Sequence, residues 1–126
     1  PDEAAQFARE TGVDAMAISV GNVHLQTSSG DGLDEGRIRA IEAVTDVPLV
    51  IHGGSGVPAA QRTVLARTSN ICKYNIGTEL RVAFGAALRD AVGVEPDRFD
   101  RVQILKETHD PVIAATRRVL AALKPV

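Results

Sequence analysis

One stretch of the sequence leads from a strand through glycines into a helix: Ile51-His52-Gly53-Gly54-Ser55-Gly56-Val57-Pro58. The apolar residues 47–50 before it predict a buried strand, and a helical pattern begins at Pro58. A neutral imidazole at the end of such a strand can bind a metal ion. Glycine N–H groups at a helix start can bind a phosphate, although glycines can also serve only to make a tight turn.

The same strand–loop–helix unit occurs three times. Strands are predicted over 13–20, 47–51 and 70–76, and each is followed by a polar or glycine-containing junction and a helix. This alternation is typical of a parallel α/β fold, in which all three junctions lie at one edge of the sheet. A helix precedes the first strand, and two helices follow the third unit over about 100–107 and 110–123. A (β/α)₈ barrel needs about 250 residues, so the chain would supply three of its eight units.

The composition excludes several classes of protein. The 126 residues suffice for one small domain, and the net charge of -2 does not favour nucleic acid or an anionic membrane. Aromatic residues make up only 3% of the chain, which argues against base-stacking surfaces. The single cysteine, Cys72, excludes an internal disulfide and is predicted to be a small buried residue in a reducing compartment. We expect a cytoplasmic protein, and we expect that residues upstream of Pro1 are missing.

Two histidines are candidate metal ligands. His24 lies in the polar loop 21–32 after the first strand, and His52 ends the second strand. Adjacent parallel strands lie about 4.8 Å apart, so the two imidazoles could converge on one ion. A catalytic zinc usually has three protein ligands, and the chain offers two good candidates. Taken alone, a loop histidine is more often a solvated or structural residue, which is our interpretation of His109.

The end of the third strand offers a second set of polar groups. Asn75 could bind a substrate hydroxyl or carbonyl, and the N–H groups of Gly77 and Thr78 could form half of a phosphate site. The alternative is that Thr78 only caps the following helix. Lys73 is a weaker candidate for a Schiff base, because it precedes the end of the strand. Tyr74 is either a packed aromatic or a hydroxyl that faces substrate.

Three segments together resemble the class II, metal-dependent ketose-bisphosphate aldolases. They are Val20-Gly21-Asn22-Val23-His24, then Pro48-Leu49-Val50-Ile51-His52-Gly53-Gly54-Ser55-Gly56-Val57-Pro58, then Lys73-Tyr74-Asn75-Ile76-Gly77-Thr78-Glu79-Leu80-Arg81. The resemblance covers nearly the whole chain, residues 1–126, and is to the C-terminal half of the fructose- or tagatose-bisphosphate aldolases. The histidine–glycine–glycine–serine–glycine segment is its most specific part.

The resemblance implies part of a Zn²⁺-dependent (β/α)₈ barrel in a homo-oligomer. It implies reversible cleavage of a ketose 1,6-bisphosphate, fructose or tagatose, to dihydroxyacetone phosphate and an aldehyde, as in glycolysis. His24 and His52 match two zinc ligands of the family. The segments that bind dihydroxyacetone phosphate in the family correspond here to Gly53, Gly54, Ser55, Asn75, Ile76, Gly77 and Thr78. The family's general base lies in its N-terminal half, so no catalytic base is predicted within this chain, and the fragment alone is expected to be inactive.

The chain departs from the family directly after the first histidine. The family commonly has glycine there, and this chain has Leu25 followed by Gln26. A side chain at this position should narrow the pocket or redirect the loop. Two alternatives to an aldolase remain at this point: a non-catalytic truncated barrel, and a phosphate-binding barrel enzyme of other chemistry such as an isomerase.

Overall fold

The sheet consists of three short parallel strands, which lie side by side in chain order. A computed structural model describes residues 1–25, 30–95 and 97–123. The strands are β1 (Met16–Ile18), β2 (Leu49–Ile51) and β3 (Ile71–Tyr74). The helices are α1 (Asp2–Thr11), α2 (Glu35–Glu42), α3 (Ala59–Thr68), α4 (Thr78–Val94), α5 (Arg101–Lys106) and α6 (His109–Leu123). All the predicted elements are therefore present, and each strand is shorter than predicted.

Local sequence sets the ends of several helices. Gly12 ends α1 in the left-handed conformation, with φ of 63°, and its N–H donates to the carbonyl oxygen of Ala8. The carboxylate of Asp34 accepts the N–H of Arg37 and caps the start of α2, and Asp100 caps α5 in the same way. Pro58 is the N-cap of α3. Residues 26–29 of the predicted polar loop, which include Gln26, lie outside the described residues.

The core lies on one face of the sheet, between the strands and the helices. Ile51 and Leu49 of β2 are fully buried there, and so are Ile38 of α2 and Leu65 of α3. The register pairs Ala17 with Val50 and Val50 with Lys73 on the opposite face, where Ala17 and Lys73 are exposed. Val50 of the central strand is buried on this face as well, so the sheet is packed on one face and open on the other only at its outer strands. Among the described residues, no helix is long and apolar enough to cross a membrane.

Cys72 is exposed, so the prediction that it is a small buried residue is wrong. The pairing of β2 with β3 is irregular between Leu49 and Val50, and Cys72 is the residue left over between the pairs Leu49–Ile71 and Val50–Lys73. An extra residue at such an irregularity has no partner across the sheet. The thiol contacts the carbonyl oxygen of Leu49 at 3.5 Å.

Candidate functional site

The carboxyl ends of the three strands surround an open pocket of about 400 Å³. Its wall is formed by residues from the three strand ends and the junctions that follow them, together with one residue of α4: His24, Leu25, Gly53, Ser55, Tyr74, Asn75, Ile76, Gly77, Thr78 and Arg81. The parallel topology produces this arrangement, because the loops that follow parallel strands meet at one edge of the sheet. Most of the residues that the sequence singles out are therefore neighbours in space.

The two candidate metal ligands lie next to each other, and His24, but not His52, lines the pocket. The ring centroids of His24 and His52 are 5.7 Å apart, and the rings are tilted by 52°. Both side chains are exposed to solvent. The distance leaves room for one ion to contact a nitrogen of each ring, which is the arrangement that the spacing of the strands predicts. Their role as ligands stays a prediction.

Asn22 holds the ends of β1 and β2 together beyond the last strand pair. Its Oδ1 accepts the N–H of Val20 at 2.8 Å, and its Nδ2 donates to the carbonyl oxygen of His52 at 3.0 Å. The side chain therefore continues the ladder between the strands at the level where the histidines begin. Sequence analysis placed Asn22 only in the family motif and gave it no role of its own.

Asn75 contacts the ring of His52, with 3.0 Å between the amide Nδ2 and Nδ1. The direction of this hydrogen bond depends on the tautomer of the imidazole and on the orientation of the amide. As placed, the amide Nδ2 donates to an unprotonated Nδ1, and the ring proton is then on Nε2. Turning the amide over would bring its oxygen to a protonated Nδ1 and leave Nε2 free for a metal ion. The predicted substrate-binding amide therefore also fixes the orientation of the ring of His52.

Ser55 joins the glycine loop to the start of α4. Its Oγ accepts the N–H groups of Gly77 and Glu79, each at 3.2 Å. Gly77 is the N-cap of α4 and has no side chain, so the hydroxyl of Ser55 acts as the cap from a different loop. The alternative in which Thr78 is the N-cap is therefore wrong. The hydroxyl hydrogen of Ser55 stays available to a ligand, because its oxygen acts as the acceptor in both bonds.

The glycines of the loop also allow its backbone to lie close to neighbouring segments of the chain. Gly53 has a φ of +64°, and a Cβ there would lie 2.5 Å from the carbonyl oxygen of Val23. A Cβ on Gly54 would lie 2.9 Å from Cδ1 of Ile76. The N–H of Gly54 donates to the carbonyl oxygen of Asn75 and so is not free for an anion. The tight turn and the close contacts therefore explain these glycines, whether or not the loop also binds phosphate.

Leu25 adopts the conformation that a glycine would favour at this position. Its φ is 61°, in the left-handed region, and the residue is 72% exposed at the wall of the pocket. The loop at Leu25 thus keeps a glycine-like backbone, and the side chain lies at the pocket. Arg81, the last residue of the third family segment, is exposed and also lines the pocket.

A buried arginine and its ion pair lie next to the pocket, and they were not predicted from the sequence. Arg62 of α3 is buried, and its Nη1 donates to Oε2 of Glu79 at 2.9 Å. The hydroxyl of Tyr74 is buried without a hydrogen-bond partner in the described part of the chain. Burial raises the pKa of Tyr74 to about 12, although the charge of Arg62 acts in the opposite direction. Arg62 lies three residues before the buried Leu65, and this helical spacing could have identified it.

The donor set at the pocket fits part of a zinc site. Two imidazoles are typical zinc ligands, and a catalytic zinc usually has three protein ligands. Within residues 1–25, 30–95 and 97–123, no three histidine, cysteine, aspartate or glutamate side chains form a group that could hold a metal. His24 and His52 therefore fit two ligands of such an ion.

The comparisons with known proteins agree with this geometry. Among solved structures, the chain is similar to the crystal structure of the YdjI aldolase from Escherichia coli K12, with 29% sequence identity and a TM-score of 0.71. The match covers 94% of this chain and 42% of that one, so the chain spans less than half the length of YdjI. The predicted fold class is confirmed, because the parallel sheet and its helices match a fragment of an aldolase barrel. The sequence also matches the family described as Fructose-bisphosphate aldolase class-II over residues 1–125. The chain belongs to the class II fructose-bisphosphate aldolase family.

Proposed function

We propose that the protein carrying this chain is a zinc-dependent lyase that cleaves a ketose 1,6-bisphosphate, fructose or tagatose, to dihydroxyacetone phosphate and an aldehyde. One observation carries the proposal. The imidazole of His24 lines a pocket that Gly77 and Thr78, at the start of α4, also line, and the imidazole of His52 lies 5.7 Å from that of His24. A metal site and a helix N-terminus at one pocket suit a substrate that has a carbonyl close to a phosphate.

The chain's own residues would bind and orient the substrate. The hydroxyl of Ser55 and the first turn of α4 at Thr78 face the pocket and offer donors to a phosphate. A phosphate fixed there places the adjoining carbonyl carbon near His24 and His52. Asn75 offers its amide to a substrate oxygen or holds His52 in position. A bound zinc supplies Lewis acidity, which polarises the carbonyl and stabilises the negative charge that develops on its oxygen.

We infer that residues outside this chain complete the site. The chain supplies two ligand candidates, and the match to YdjI covers 42% of that protein. The general base and the third zinc ligand would come from the remaining part of a barrel, so that residues 1–126 are its C-terminal part. By analogy with the family, we also infer a homo-oligomer that acts in cytoplasmic sugar-phosphate metabolism such as glycolysis.

The proposal is tested with the natural full-length protein. We expect cleavage of fructose or tagatose 1,6-bisphosphate, followed by a coupled assay of dihydroxyacetone phosphate. A chelator should abolish the activity and Zn²⁺ should restore it. His24→Ala and His52→Ala should each lower the bound zinc, measured by elemental analysis, and lower kcat by at least about a hundredfold. Arg9→Ala, on an exposed position of α1, is the matched control and should change neither.

Two results would overturn the proposal. One is a full-length protein that cleaves neither ketose bisphosphate in the presence of zinc. The other is cleavage that survives both histidine substitutions and the chelator. Interconversion of an aldose phosphate and a ketose phosphate without cleavage would instead identify an isomerase.

A further inference from the structure

A charged side chain is buried directly behind the phosphate pocket. Arg62 is 5% exposed, and it lies on α3, the helix that follows the glycine loop. Its Nη1 donates to Oε2 of Glu79, the second residue of α4, at 2.9 Å. Its Nε is also buried and has no hydrogen-bond partner in the part of the chain that the structure describes. The ion pair thus joins the two helices that begin at the pocket.

Stability alone does not account for this pair. The guanidinium of Arg62 loses its hydration on burial, while the side chain of Glu79 stays 35% exposed. An apolar residue of similar volume in place of a buried charge is often as good or better for the stability of the fold. The unpartnered Nε of Arg62 adds a further cost, because a buried donor without an acceptor is unfavourable. The position of the pair beside the pocket therefore points to a role in binding.

The charges around the start of α4 indicate how the pair could affect binding. The N-terminus of a helix carries a partial positive charge, which attracts a phosphate. The carboxylate of Glu79 lies in the first turn, so it competes with an anionic ligand for this positive charge. Arg62 pairs with that carboxylate and offsets it. The backbone N–H of Glu79 donates to the hydroxyl oxygen of Ser55, and Ser55 itself lines the pocket.

We propose that Arg62 is a positioning residue of the phosphate pocket, which holds the first turn of α4 against α3 and neutralises Glu79 so that an organic phosphate can bind. The proposal rests on the proposed function for the ligand class. It is independent of the metal and of the chemical step, because it concerns only the affinity for a phosphate.

The test uses two substitutions that should act in opposite directions. Glu79→Gln keeps an acceptor oxygen for Arg62 and removes the negative charge, so the affinity for dihydroxyacetone phosphate should rise by about threefold. Arg62→Met keeps the apolar stem and leaves Glu79 uncompensated, so the affinity should fall by at least about fivefold. The double variant Arg62→Met/Glu79→Gln should recover most of the wild-type affinity. Calorimetric titration of the full-length protein with dihydroxyacetone phosphate, and with inorganic phosphate, measures all three.

A matched control breaks an ion pair elsewhere. Arg98→Met removes the contact with Glu107, a pair that contributes nothing to the lining of the pocket, and should leave the affinity unchanged. An equal loss of affinity in Glu79→Gln and Arg62→Met would mean that the pair acts only through packing, and would overturn the proposal. If Arg62→Met does not fold, as judged by circular dichroism, the proposal is decided by whether Glu79→Gln raises or lowers the affinity for dihydroxyacetone phosphate.

Failure of this proposal and failure of the proposed function give different results. Wild-type protein that binds neither phosphate overturns the phosphate pocket itself, and this proposal with it. Wild-type protein that binds dihydroxyacetone phosphate, with Arg62→Met and Glu79→Gln both unchanged, overturns only the role of Arg62.

Discussion

Leu25 shows how one side chain can alter a site without altering its backbone. A leucine with a φ of 61° is in the left-handed region, which costs roughly 1–2 kcal/mol relative to the usual conformations. Leu25→Gly removes this strain. Glycine also gives the unfolded chain more conformational freedom, which offsets about 0.4–1 kcal/mol of the gain in the free energy of unfolding. We therefore expect Leu25→Gly to raise the free energy of unfolding by about 0.5 kcal/mol, measured by urea denaturation of the full-length protein.

Leu25→Ala is the control for this prediction. Alanine keeps the strained φ and removes most of the side chain, which is 72% exposed and so contributes little to packing. The free energy of unfolding should stay within about 0.5 kcal/mol of the wild type. A loss of stability in both variants would show that the leucine side chain makes contacts that outweigh the strain.

The position of a residue could be predicted from the sequence where the order of the strands determines it. His24 and His52 each follow a parallel strand, so their proximity follows from the order of the strands. Cys72 was not predictable, because the irregular pairing beside it shifts the residues of β3 relative to β2. The spacing of Arg62 and Leu65 indicates that Arg62 faces inward, but the sequence does not show that Glu79 is its partner.

At the scale of elements, α4 depends on a cap that comes from another loop. Ser55→Ala removes the acceptor for the N–H groups of Gly77 and Glu79, and Gly77 has no side chain to replace it. Loss of an N-cap costs about 1 kcal/mol. We expect this loss in the free energy of unfolding, together with weaker binding of dihydroxyacetone phosphate, because the same hydroxyl faces the pocket.

Thr63→Ala is the matched hydroxyl deletion. The hydroxyl of Thr63 donates to the carbonyl oxygen of Ala59 within α3, so its removal leaves no helix N-terminus uncapped. The change in stability should be within about 0.5 kcal/mol, and phosphate affinity should be unchanged. Equal effects of the two substitutions would contradict the capping role of Ser55.

The order of the elements could be predicted more completely than their burial. The alternation of apolar runs and glycine-containing junctions predicted the three strands and the six α-helices described above. It could do so because apolar residues recur with a characteristic period in a strand and with another in a helix. The apolar residues of α4 and α6 are only partly buried. Phe84, Ile113 and Leu120 remain 38–58% exposed, and Ala91, Ala115 and Val119 form the buried contacts instead. Periodicity identifies an apolar face of a helix, but it does not show whether the described part of the chain covers that face.

At the scale of the whole molecule, the sheet has two open edges and a face that is open at its outer strands. Among the described residues, β1 and β3 each pair only with β2, and Ala17 and Lys73 are exposed on the face away from the core. Parallel sheets are normally covered on both faces, and unpaired edges promote association with other strands. We therefore expect residues 1–126, expressed alone, to self-associate as their concentration rises, as measured by size-exclusion chromatography with light scattering.

The same isolated chain should bind zinc weakly. His24 and His52 provide two nitrogen ligands, one fewer than a catalytic zinc site usually has, and binding of the ion should not survive a competing weak chelator. Co-expression with the remaining part of a class II aldolase barrel should restore tight zinc binding, because the third ligand is then present and the open edges are paired. The control is His24→Ala in the co-expressed protein, which should lose the restored zinc. A monomeric isolated chain that holds zinc against the chelator would contradict the prediction, since two imidazoles alone cannot provide such affinity.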